Sequence, residues 1–387
     1  MTHTMEELKT RQAYPLDLKI KLTESRIRGW INEFGEDGVY VSFSGGKDST
    51  VLLDIVRNRM GYKNVPAMFV DVPTQFPELK DYALTWDNVD VVKPKISFMQ
   101  VCDKYGFPLV SKEVSEALQG ARKYLSDIRK EVKELYPDCQ IDDAESMAKS
   151  EELASVLDRK LKNKEGGQNH KLSLMLGTFT KDGDIRANLT NQEKSVYCQS
   201  KWKFLLDAKF DCSNRCCIIM KKEPAHRYSK QTGRHPMTAQ MAEESRLRTQ
   251  QWLKNGCNGF DMKIPISNPM SFWTEQDVLQ YIYENNLPIC SAYGEVVCDD
   301  DKHGQLTFDD FKGQPVYKTT GCDRTGCMLC GFGCHLEDKS KGRFVLLKES
   351  HPKMYNLLDV VKSNGVTFRE AIEWTNEHLK ENEKIPL

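Results

Sequence analysis

Long apolar runs are missing from this chain of 387 residues. No stretch approaches the roughly 20 consecutive apolar residues that a membrane-spanning helix needs. The amino terminus, MTHTMEELKTRQ, is too polar for the core of a signal peptide. Internal repeats and low-complexity tracts are missing too. These absences predict a cytoplasmic protein without a membrane segment. The length of 387 residues predicts one large α/β domain with additions, or two domains.

An excess of charge of either sign is also missing. The formal net charge is −1, so the chain has no overall basic signature of a nucleic-acid-binding protein. A local patch of lysine and arginine is compatible with this balance. Nucleic acid is therefore neither indicated nor excluded as a partner.

Cysteine, in contrast, is plentiful, with 13 residues that are unevenly spaced. Disulfides are rare in a reducing compartment, so clustered cysteines there indicate metal ligands or reactive thiols. Isolated cysteines are more often small buried hydrophobic side chains. We expect burial for six of them: Cys102, Cys139, Cys198, Cys257, Cys290 and Cys298.

A glycine-rich motif follows the first predicted strand. Residues 44–50 read SGGKDST and lie between the apolar run 39–43 and a helical stretch at 51–57. Gly45 and Gly46 have no Cβ, so the backbone can turn sharply and direct N–H groups at one anion beside the helix N-terminus. The motif therefore predicts a loop that binds the phosphates of a nucleotide.

The side chains of this loop supply further phosphate contacts. Hydroxyl donors come from Ser44, Ser49 and Thr50, and a cation comes from Lys47. Asp48 is interpreted either as the N-cap of the helix or as a ligand of the magnesium that accompanies a nucleotide. The spacing excludes the GxxxxGK loop and matches the pattern SGGxDS instead. The alternative is a serine-glycine turn before an ordinary helix.

The order of the predicted elements indicates an α/β fold. An amphipathic helix over 18–34 stops at Gly35, a second strand covers 66–71, and a third covers 89–92. Strands that alternate with helices predict a doubly wound parallel sheet, whose ligands lie beyond the carboxyl ends of the strands. The glycine-rich loop and Asp71 both fall at such ends.

Later segments differ in composition. From Glu116 to about Glu165 the chain is charged and helix-forming, and it ends in Gly166 and Gly167. Such a segment is either a lid or partner surface, or a solvated helical hairpin. Further on, Thr274 is predicted to cap a helix. We expect four segments: 1–115 with the first half of the nucleotide-binding domain, 116–190 with the helical insertion, 191–300 with the second half, and 301–387 with the cysteine cluster and an amphipathic helix at 366–379.

Four cysteines lie within the 13 residues from Cys322 to Cys334. Thiolates at one point repel each other unless a metal neutralises them, and the C-x4-C-x2-C spacing is known from iron–sulfur proteins. We predict a 4Fe–4S cluster in preference to a structural zinc ion, with unliganded thiols as the third alternative. Two ligand sets remain open: Cys322, Cys327, Cys330 and Cys334, or Cys216 and Cys217 with Cys327 and Cys330.

Taken together, these motifs resemble the phosphoadenosine phosphosulfate (PAPS) reductase family, within the adenine nucleotide α-hydrolase group of PP-loop proteins. The resemblance covers most of residues 40–352. SGGKDST corresponds to the family's phosphate loop, and DVPTQFPE at 71–78 looks like its DTGxxFPE segment, although Val72 and Pro73 depart from that pattern. The resemblance implies ATP and Mg²⁺ as ligands, with Lys47, Asp48 and Asp71 as the catalytic residues.

A second part of the resemblance concerns arginine. Gly233 and Arg234, followed by residues 242–248, look like the family's G-x-R-x-x-ES-x-x-R element with extra residues between its halves. This implies that Arg234, Ser245 and Arg248 contact phosphate or sulfate oxygens. The alternative for Arg248 is a surface ion pair on a helix.

One departure changes the functional expectation. Sulfonucleotide reductases of this family carry a nucleophilic cysteine in a carboxyl-terminal ECGxH segment, and the last fifty residues here contain no cysteine. Simple reduction of PAPS is therefore not expected. The pairing of a PP-loop with an R-T-G-C-x-x-C cluster is more similar to the DNA phosphorothioation ATPase and to iron–sulfur tRNA thiolases.

This resemblance implies an enzyme that splits ATP between its α and β phosphates, adenylylates an acceptor and assists sulfur transfer to it. The acceptor would be a nucleic acid or a small metabolite, and the sulfur donor a protein such as a cysteine desulfurase. Two alternatives remain. One is a sulfonucleotide reductase that uses a cluster cysteine such as Cys334, and the other is a nucleotide-binding regulator with a structural or redox-sensing metal centre. The oligomeric state is open.

Overall fold

The computed structural model describes residues 3–165, 169–299 and 315–387. Gly166 and Gly167, which end the predicted charged segment, and residues 301–314 of the predicted carboxyl-terminal segment lie outside the described residues. Among the helices of the described ranges, none combines the length and the apolar character that crossing a membrane would require.

The described residues form short strands and helices in alternation. The strands are β1 (Val39–Phe43), β2 (Ala67–Val70), β3 (Val89–Val92), β4 (Leu109–Val110), β5 (His235–Met237), β6 (Asn258–Gly259), β7 (Ile266–Ser267), β8 (Val296–Cys298), β9 (Tyr317–Thr319), β10 (Gly331–Phe332), β11 (Lys362–Ser363) and β12 (Val366–Thr367). The α-helices are α1 (Met5–Gln12), α2 (Leu16–Phe34), α3 (Lys47–Asp54), α4 (Pro77–Ala83), α5 (Phe98–Tyr105), α6 (Lys112–Leu135), α7 (Ala144–Lys149), α8 (Glu151–Lys162), α9 (Asn169–Leu176), α10 (Arg215–Cys217), α11 (Glu223–Thr232), α12 (Arg246–Asn255), α13 (Glu275–Glu284), α14 (Arg343–Ser350), α15 (Pro352–Tyr355) and α16 (Phe368–Glu377).

The chain divides into two compact units. Unit 1 comprises Met1–Lys95 and Met220–Cys327, and unit 2 comprises Ile96–Ile219 and Met328–Leu387. The predicted insertion at 116–190 lies wholly within unit 2. The predicted segments 1–115, 191–300 and 301–387 each contribute residues to both units.

Unit 1 is built on a six-stranded sheet with the order β3-β2-β1-β5-β7-β6. Its strands are parallel except β6, which lies at one edge and is antiparallel to β7. This confirms the predicted α/β class with a mostly parallel sheet. The chain proceeds from β1 to β3 on one side and returns to β5 on the other, so the carboxyl end of β1 is a topological switch point, where ligands of such sheets bind.

Alternate side chains of β1 pack on opposite faces of this sheet. Val41 belongs to the larger hydrophobic core, together with Trp30 of α2. Tyr40 belongs to a separate cluster with Tyr228 of α11. Apolar layers therefore cover both faces, as expected for parallel strands that carry helices on each side.

Several predicted boundaries agree with the structure. The strands predicted at 39–43 and 89–92 have those bounds, and α2 ends at Phe34 with Gly35 as its C-cap, as predicted. The helix after the glycine-rich loop begins earlier than predicted, at Lys47, and continues as a π-helical turn at Ile55–Arg59. The predicted helix at 366–379 is shorter, because its first two residues form β12 and the second of them caps α16.

The start of α13 is fixed by a capping box and a buried ion pair. The Thr274 hydroxyl accepts a hydrogen bond from the Asp277 backbone N–H at 3.3 Å, which confirms the predicted cap. The Asp277 carboxylate accepts from the Thr274 N–H at 2.6 Å and from Lys19 Nζ at 2.6 and 2.7 Å. These contacts tie α13 to α2 and set the position of Glu275 in the first turn of α13.

The charged segment of unit 2 is helical, as predicted. Helix α6 buries Leu118, Leu125 and Val132 on one face. Arg122 on the same helix donates to four oxygens of residues 205–211, at distances of 2.6 to 2.7 Å. The segment is therefore packed into unit 2 by an apolar face and by a guanidinium with several acceptors.

Candidate functional site

The glycine-rich loop turns at the carboxyl end of β1. Gly45 has a φ of +73°, and a Cβ there would lie 2.7 Å from the carbonyl oxygen of Leu79. Both the backbone conformation and the packing therefore require glycine. Gly46 is the N-cap of α3, and a Cβ there would lie 3.1 Å from Ser44 Oγ and 3.2 Å from the Tyr293 hydroxyl. The loop thus forms as the sequence predicts, with α3 beginning directly after it.

Hydroxyl groups of the loop bond mainly to the loop itself. Ser49 Oγ accepts from the Ser44 N–H at 3.1 Å and donates to the Gly46 carbonyl at 2.9 Å. Thr50 Oγ1 donates to the same carbonyl at 3.1 Å and is buried. Ser49 and Thr50 therefore hold the loop in shape. Ser44 Oγ is also bonded within the loop, to Ser49 Oγ at 3.0 Å, but Ser44 is exposed and lines the cavity described next.

A cavity of about 450 Å³ lies beside the loop, within unit 1. Its volume is in the range of sites for small ligands and cofactors. The lining residues are Ser44, Gly46, Lys47 and Asp48 of the loop, Met241, Glu243, Glu244 and Arg248 around the start of α12, Glu275 of α13, Tyr293, and Asp323, Arg324, Thr325 and Gly326. The structure therefore brings together five of the predicted residues, four from the loop and Arg248.

Lys47 is held in place by oxygen atoms of two other segments. Its Nζ lies 2.7 Å from Glu275 Oε1 and 2.6 Å from the backbone oxygen of Asp323. The Tyr293 ring centroid is 5.5 Å from the same nitrogen. A phosphate in the cavity would compete with Glu275 for this ammonium group.

Asp48 is the second residue of α3, so its predicted alternative role as N-cap is wrong. The helix begins one residue earlier and is capped by Gly46. Asp48 Oδ1 is buried and has no hydrogen-bond partner among the described residues. Burial raises the pKa of this carboxyl group, and the nearby Lys47 opposes that effect. A shielded carboxylate oxygen without a protein partner fits the predicted role as a Mg²⁺ ligand.

The charges around the cavity are unequal. The anionic residues are Asp48, Glu243, Glu244, Glu275 and Asp323, and the cationic residues are Lys47, Arg248 and Arg324. A polyphosphate alone would meet more carboxylates than cations. A divalent cation bound with the phosphates would remove this conflict, because it neutralises charge on both partners.

Two residues of the predicted arginine motif lie at this cavity or support it. Ser245 is the N-cap of α12, and its Oγ accepts from the Arg248 backbone N–H at 3.3 Å. The Arg248 side chain lines the cavity and pairs with Glu244 one turn earlier. Arg248 therefore makes an ion pair on its own helix, as the alternative interpretation predicts. It also lines the cavity, where the predicted contact with phosphate or sulfate oxygens would be made.

Arg234 lies elsewhere, at the amino end of β5. Because β5 is parallel to β1, with His235 opposite Val39, this end of the sheet is remote from the phosphate loop. The Arg234 guanidinium donates to the Asp37 carbonyl at 3.1 Å and to the Tyr228 hydroxyl at 3.2 Å. The structure thus does not bring Arg234 together with the other predicted phosphate ligands.

Asp71 follows β2 at the carboxyl edge, as predicted. Its Oδ2 accepts a hydrogen bond from Lys80 Nζ of α4 at 2.8 Å. Asp71 is outside the cavity lining that the described residues form. The structure therefore places it at the expected edge but in an ion pair.

The first two cysteines of the cluster belong to unit 1 and flank part of the cavity wall. Cys322 and Cys327 lie on either side of residues 323–326, all four of which line the cavity. The Cys322 N–H donates to the Ala292 carbonyl at 2.9 Å. Burial raises the pKa of the Cys322 thiol.

The remaining candidate ligands belong to unit 2. Cys330 and Cys334 flank β10, and Cys334 Sγ lies 3.3 Å from the Cys330 carbonyl oxygen. Burial raises the pKa of the Cys334 thiol to about 12. Cys216 and Cys217 lie on α10. Within the ranges 3–165, 169–299 and 315–387, no group of three His, Cys, Asp or Glu side chains is placed to hold a metal ion. Each predicted ligand set combines cysteines of both units, and it stays a prediction.

The isolated cysteines divide into two groups. Cys102, Cys257 and Cys290 are buried, as predicted. The other three are only half-buried: Cys139, Cys198 and Cys298.

Sequence reasoning missed several residues of the cavity, above all Glu275, Tyr293 and Arg324. Arg324 belongs to the R-T-G stretch, whose sequence pattern indicates only the cysteine cluster. The stretch reaches the glycine-rich loop because Tyr293 Oη and Thr325 Oγ1 are 2.5 Å apart and Lys47 Nζ donates to the Asp323 carbonyl. No local pattern predicts these contacts between distant segments.

Comparison with known proteins gives two findings. A family model described as "Phosphoadenosine phosphosulfate reductase domain" matches residues 38–159 and 169–331, more than half of the chain. The crystal structure of phosphoadenylyl-sulfate (PAPS) reductase from Candida auris, in complex with phosphate, is similar at 15% sequence identity; the match covers 75% of this chain and 91% of that chain, with a TM-score of 0.33. No curated protein matches the sequence significantly.

Proposed function

The chain belongs to the phosphoadenosine phosphosulfate reductase family, and from that premise we propose that it is a PP-loop ATP pyrophosphatase that adenylylates an acceptor for sulfur transfer. One observation carries this proposal. The cavity beside the loop has five carboxylates and three cations, and Asp48 Oδ1 is buried in it without a partner. Such a cavity favours a nucleotide that arrives with a divalent cation over a sulfonucleotide without one.

Each loop residue has a part in binding the nucleotide. The N–H groups around Gly46 and the exposed Ser44 hydroxyl bind the phosphate oxygens. Lys47 exchanges Glu275 for a phosphate oxygen and stabilises the negative charge that develops as pyrophosphate leaves. Asp48 would hold Mg²⁺ through its shielded oxygen, and the bound ion supplies further neutralisation of the pyrophosphate charge.

The proposed chemistry has two steps that balance without a change of oxidation state. An oxygen of the acceptor attacks the α phosphorus, the bond between that phosphorus and the α–β bridging oxygen breaks, and pyrophosphate leaves with the electron pair. Hydrosulfide then attacks the acceptor atom that carries the adenylylated oxygen, and AMP leaves with the electrons of that bond. If a cysteine desulfurase delivers the sulfur as a persulfide, a thiol must reduce the resulting disulfide.

The burial of Cys334 weighs against this thiol as the nucleophile of the reductase alternative. Its side chain has 0% exposure, and its sulfur is hydrogen-bonded to a backbone carbonyl. A nucleophile must reach the sulfur atom of its substrate, and a fully buried thiol does not. The acceptor, a nucleic acid or a small metabolite, would be the partner that decides the biological role.

A metal centre at the cysteines is a separate part of the proposal. We propose a 4Fe–4S cluster in preference to zinc, on the spacing of Cys322, Cys327 and Cys330. Neither the adenylylation step nor the attack by hydrosulfide requires this cluster. Anaerobic purification with iron, sulfide and zinc quantified tests it: about four iron and four sulfide per chain support the cluster, and about one zinc without sulfide contradicts it.

The function itself is tested by a product assay on the full-length protein. With ATP, Mg²⁺, sulfide and pooled candidate acceptors (transfer RNA, duplex DNA and a small-metabolite extract), we expect AMP and pyrophosphate in equal amounts, and only when an acceptor is present. The contrasting arm supplies PAPS or adenosine 5′-phosphosulfate with a thiol reductant and no ATP. Release of sulfite there, without pyrophosphate in the first arm, contradicts the proposal.

A further inference from the structure

The three cations of the cavity differ in what they contact. Lys47 is 2.7 Å from Glu275, and Arg248 pairs with Glu244. Arg324 lines the same cavity and, among the described residues, has neither an ion pair nor a hydrogen bond. Its five N–H donors are therefore available to a ligand.

The backbone around Arg324 is nevertheless held firmly. The carbonyl of Asp323 accepts from Lys47 at 2.6 Å, and the hydroxyl of Thr325 is 2.5 Å from that of Tyr293. Both neighbours of Arg324 are thus anchored to the wall of the cavity. A side chain without partners on an anchored backbone is suited to bind a ligand without a large rearrangement of the chain.

Arg324 also lies close enough to Arg248 for their charges to interact. Burial is the main effect that lowers the pKa of the Arg248 guanidinium; Asp48 opposes it, and the positive charge of Arg324 adds to it. Two guanidinium groups that face the same space repel each other. A multivalent anion between them converts that repulsion into two charge-assisted contacts.

We propose that Arg324, together with Arg248, forms a subsite for the pyrophosphate end of ATP. Guanidinium groups bind phosphate oxygens through two parallel hydrogen bonds, so two of them would hold the β and γ phosphates as these become the leaving group. The inference rests on the proposed function, because it requires ATP as the nucleotide. It also gives the segment between Cys322 and Cys327 a direct contact with the leaving group.

Calorimetric titration of the full-length protein tests this subsite. ATP, AMP and inorganic pyrophosphate, each with Mg²⁺, are titrated into the wild type, Arg324→Gln and Arg324→Lys. We expect Arg324→Gln to weaken ATP and pyrophosphate by about 10- to 100-fold and to leave AMP unchanged, as for loss of a charge-assisted contact. Arg324→Lys restores part of the affinity, because it keeps the charge without the paired donors.

Arg246→Gln is the matched control, since Arg246 is an exposed arginine of α12 outside the cavity lining. Unchanged ATP affinity in Arg324→Gln, or an equal loss in Arg246→Gln, overturns the subsite. A loss of AMP affinity as large as that of ATP also overturns it, because that indicates general damage to the site. If the wild type binds adenosine 5′-phosphosulfate but no ATP, the proposed function fails. If the wild type binds ATP and Arg324→Gln binds it with the same affinity, only the proposal of the subsite fails.

Discussion

Charged side chains lie at both the amino edge and the carboxyl edge of the sheet in unit 1, where its parallel strands begin and end, yet their surroundings differ. At the amino edge, Arg234 donates to Asp37 and Tyr228 and lies 3.8 Å from the Asp90 carboxylate. At the carboxyl edge, Asp48 Oδ1 is buried without a partner, and Arg324 has no partner among the described residues. Charged groups with satisfied contacts stabilise the fold, whereas unsatisfied groups around a cavity mark where a ligand completes the contacts.

The largest effect that would sharpen this comparison is expected for Lys47→Ala. Loss of the cation that stabilises the leaving group should lower the rate of pyrophosphate release by about 10²- to 10³-fold, as for other preorganised electrostatic contacts. Lys80→Ala is the control, because Lys80 pairs with Asp71 at the same edge but outside the cavity. Initial rates of pyrophosphate release measure both variants. Equal losses would show that the edge as a whole, and not the cavity, is required.

The next effect concerns two glycines with similar φ angles. Gly45 and Gly35 have φ of +73° and +78°, but only a Cβ at Gly45 would meet other atoms within 4 Å. Gly45→Ala should lower the free energy of unfolding by about 2–4 kcal/mol, from left-handed strain plus the collision with Leu79, and Gly35→Ala by only about 1–2 kcal/mol. Urea unfolding followed by circular dichroism measures the difference. Equal losses in the two variants would show that the collision has no cost.

Asp48→Asn should have opposite effects on activity and stability. The pKa of Asp48 is raised in the folded state, so above that pKa the carboxylate lowers the stability of the protein. The amide should therefore increase the free energy of unfolding by about 1 kcal/mol at neutral pH, while Mg²⁺-dependent ATP binding is lost.

The stability difference between Asp48→Asn and the wild type should depend on pH, because only the wild type has a carboxyl group that titrates at this position. Below the ordinary pKa of an aspartate, both folded and unfolded wild-type chains are protonated at this position, so the advantage of Asp48→Asn disappears there. Melting temperatures of the two proteins between neutral pH and about pH 3 measure this convergence. A difference that stays constant over that range would contradict the role given to the carboxylate charge.

The smallest effect is expected for Arg234→Gln at the amino edge. Loss of its hydrogen bonds should lower the free energy of unfolding by about 1 kcal/mol, and the rate of pyrophosphate release should not change. Arg248→Gln is the counterpart at the other edge, where we expect weaker ATP binding with little change in stability. If Arg234→Gln impairs catalysis as strongly as Arg248→Gln, the distinction between the two edges is wrong.

Local signals in the sequence predicted a substantial part of the fold. The strand at 39–43, the cap at Thr274 and the glycine-rich turn depend on neighbours a few residues away, and the structure has each of them. The sequence predicts a later start of α3 than the structure has, because the serine and threonine of the loop are weak helix formers in isolation. Here their hydroxyls bond to the Gly46 carbonyl and stabilise the first turn.

The positions of the two arginines of the motif could not be predicted from local sequence patterns. The resemblance to the G-x-R-x-x-ES-x-x-R element implies that Arg234 and Arg248 both contact phosphate or sulfate oxygens. Strand β5 begins directly after Arg234 and runs parallel to β1, toward the edge where the glycine-rich loop lies. Arg234 therefore lies at the amino edge, and the residues after β5 lie at the carboxyl edge. The direction of a strand is set by pairing with β1, a contact between segments almost two hundred residues apart.

By itself, the sequence determined the glycine-rich turn, the family and the α/β class, because turns, caps and apolar periodicity act over a few residues. Only the tertiary structure decided which charged groups surround the loop. Glu275 reaches Lys47 because a buried ion pair between α2 and α13 sets the first turn of α13, and Arg324 reaches the cavity because its neighbours bond to Lys47 and Tyr293. Such contacts join segments that are far apart in the chain, and their energies depend on burial and distance, which no local pattern contains.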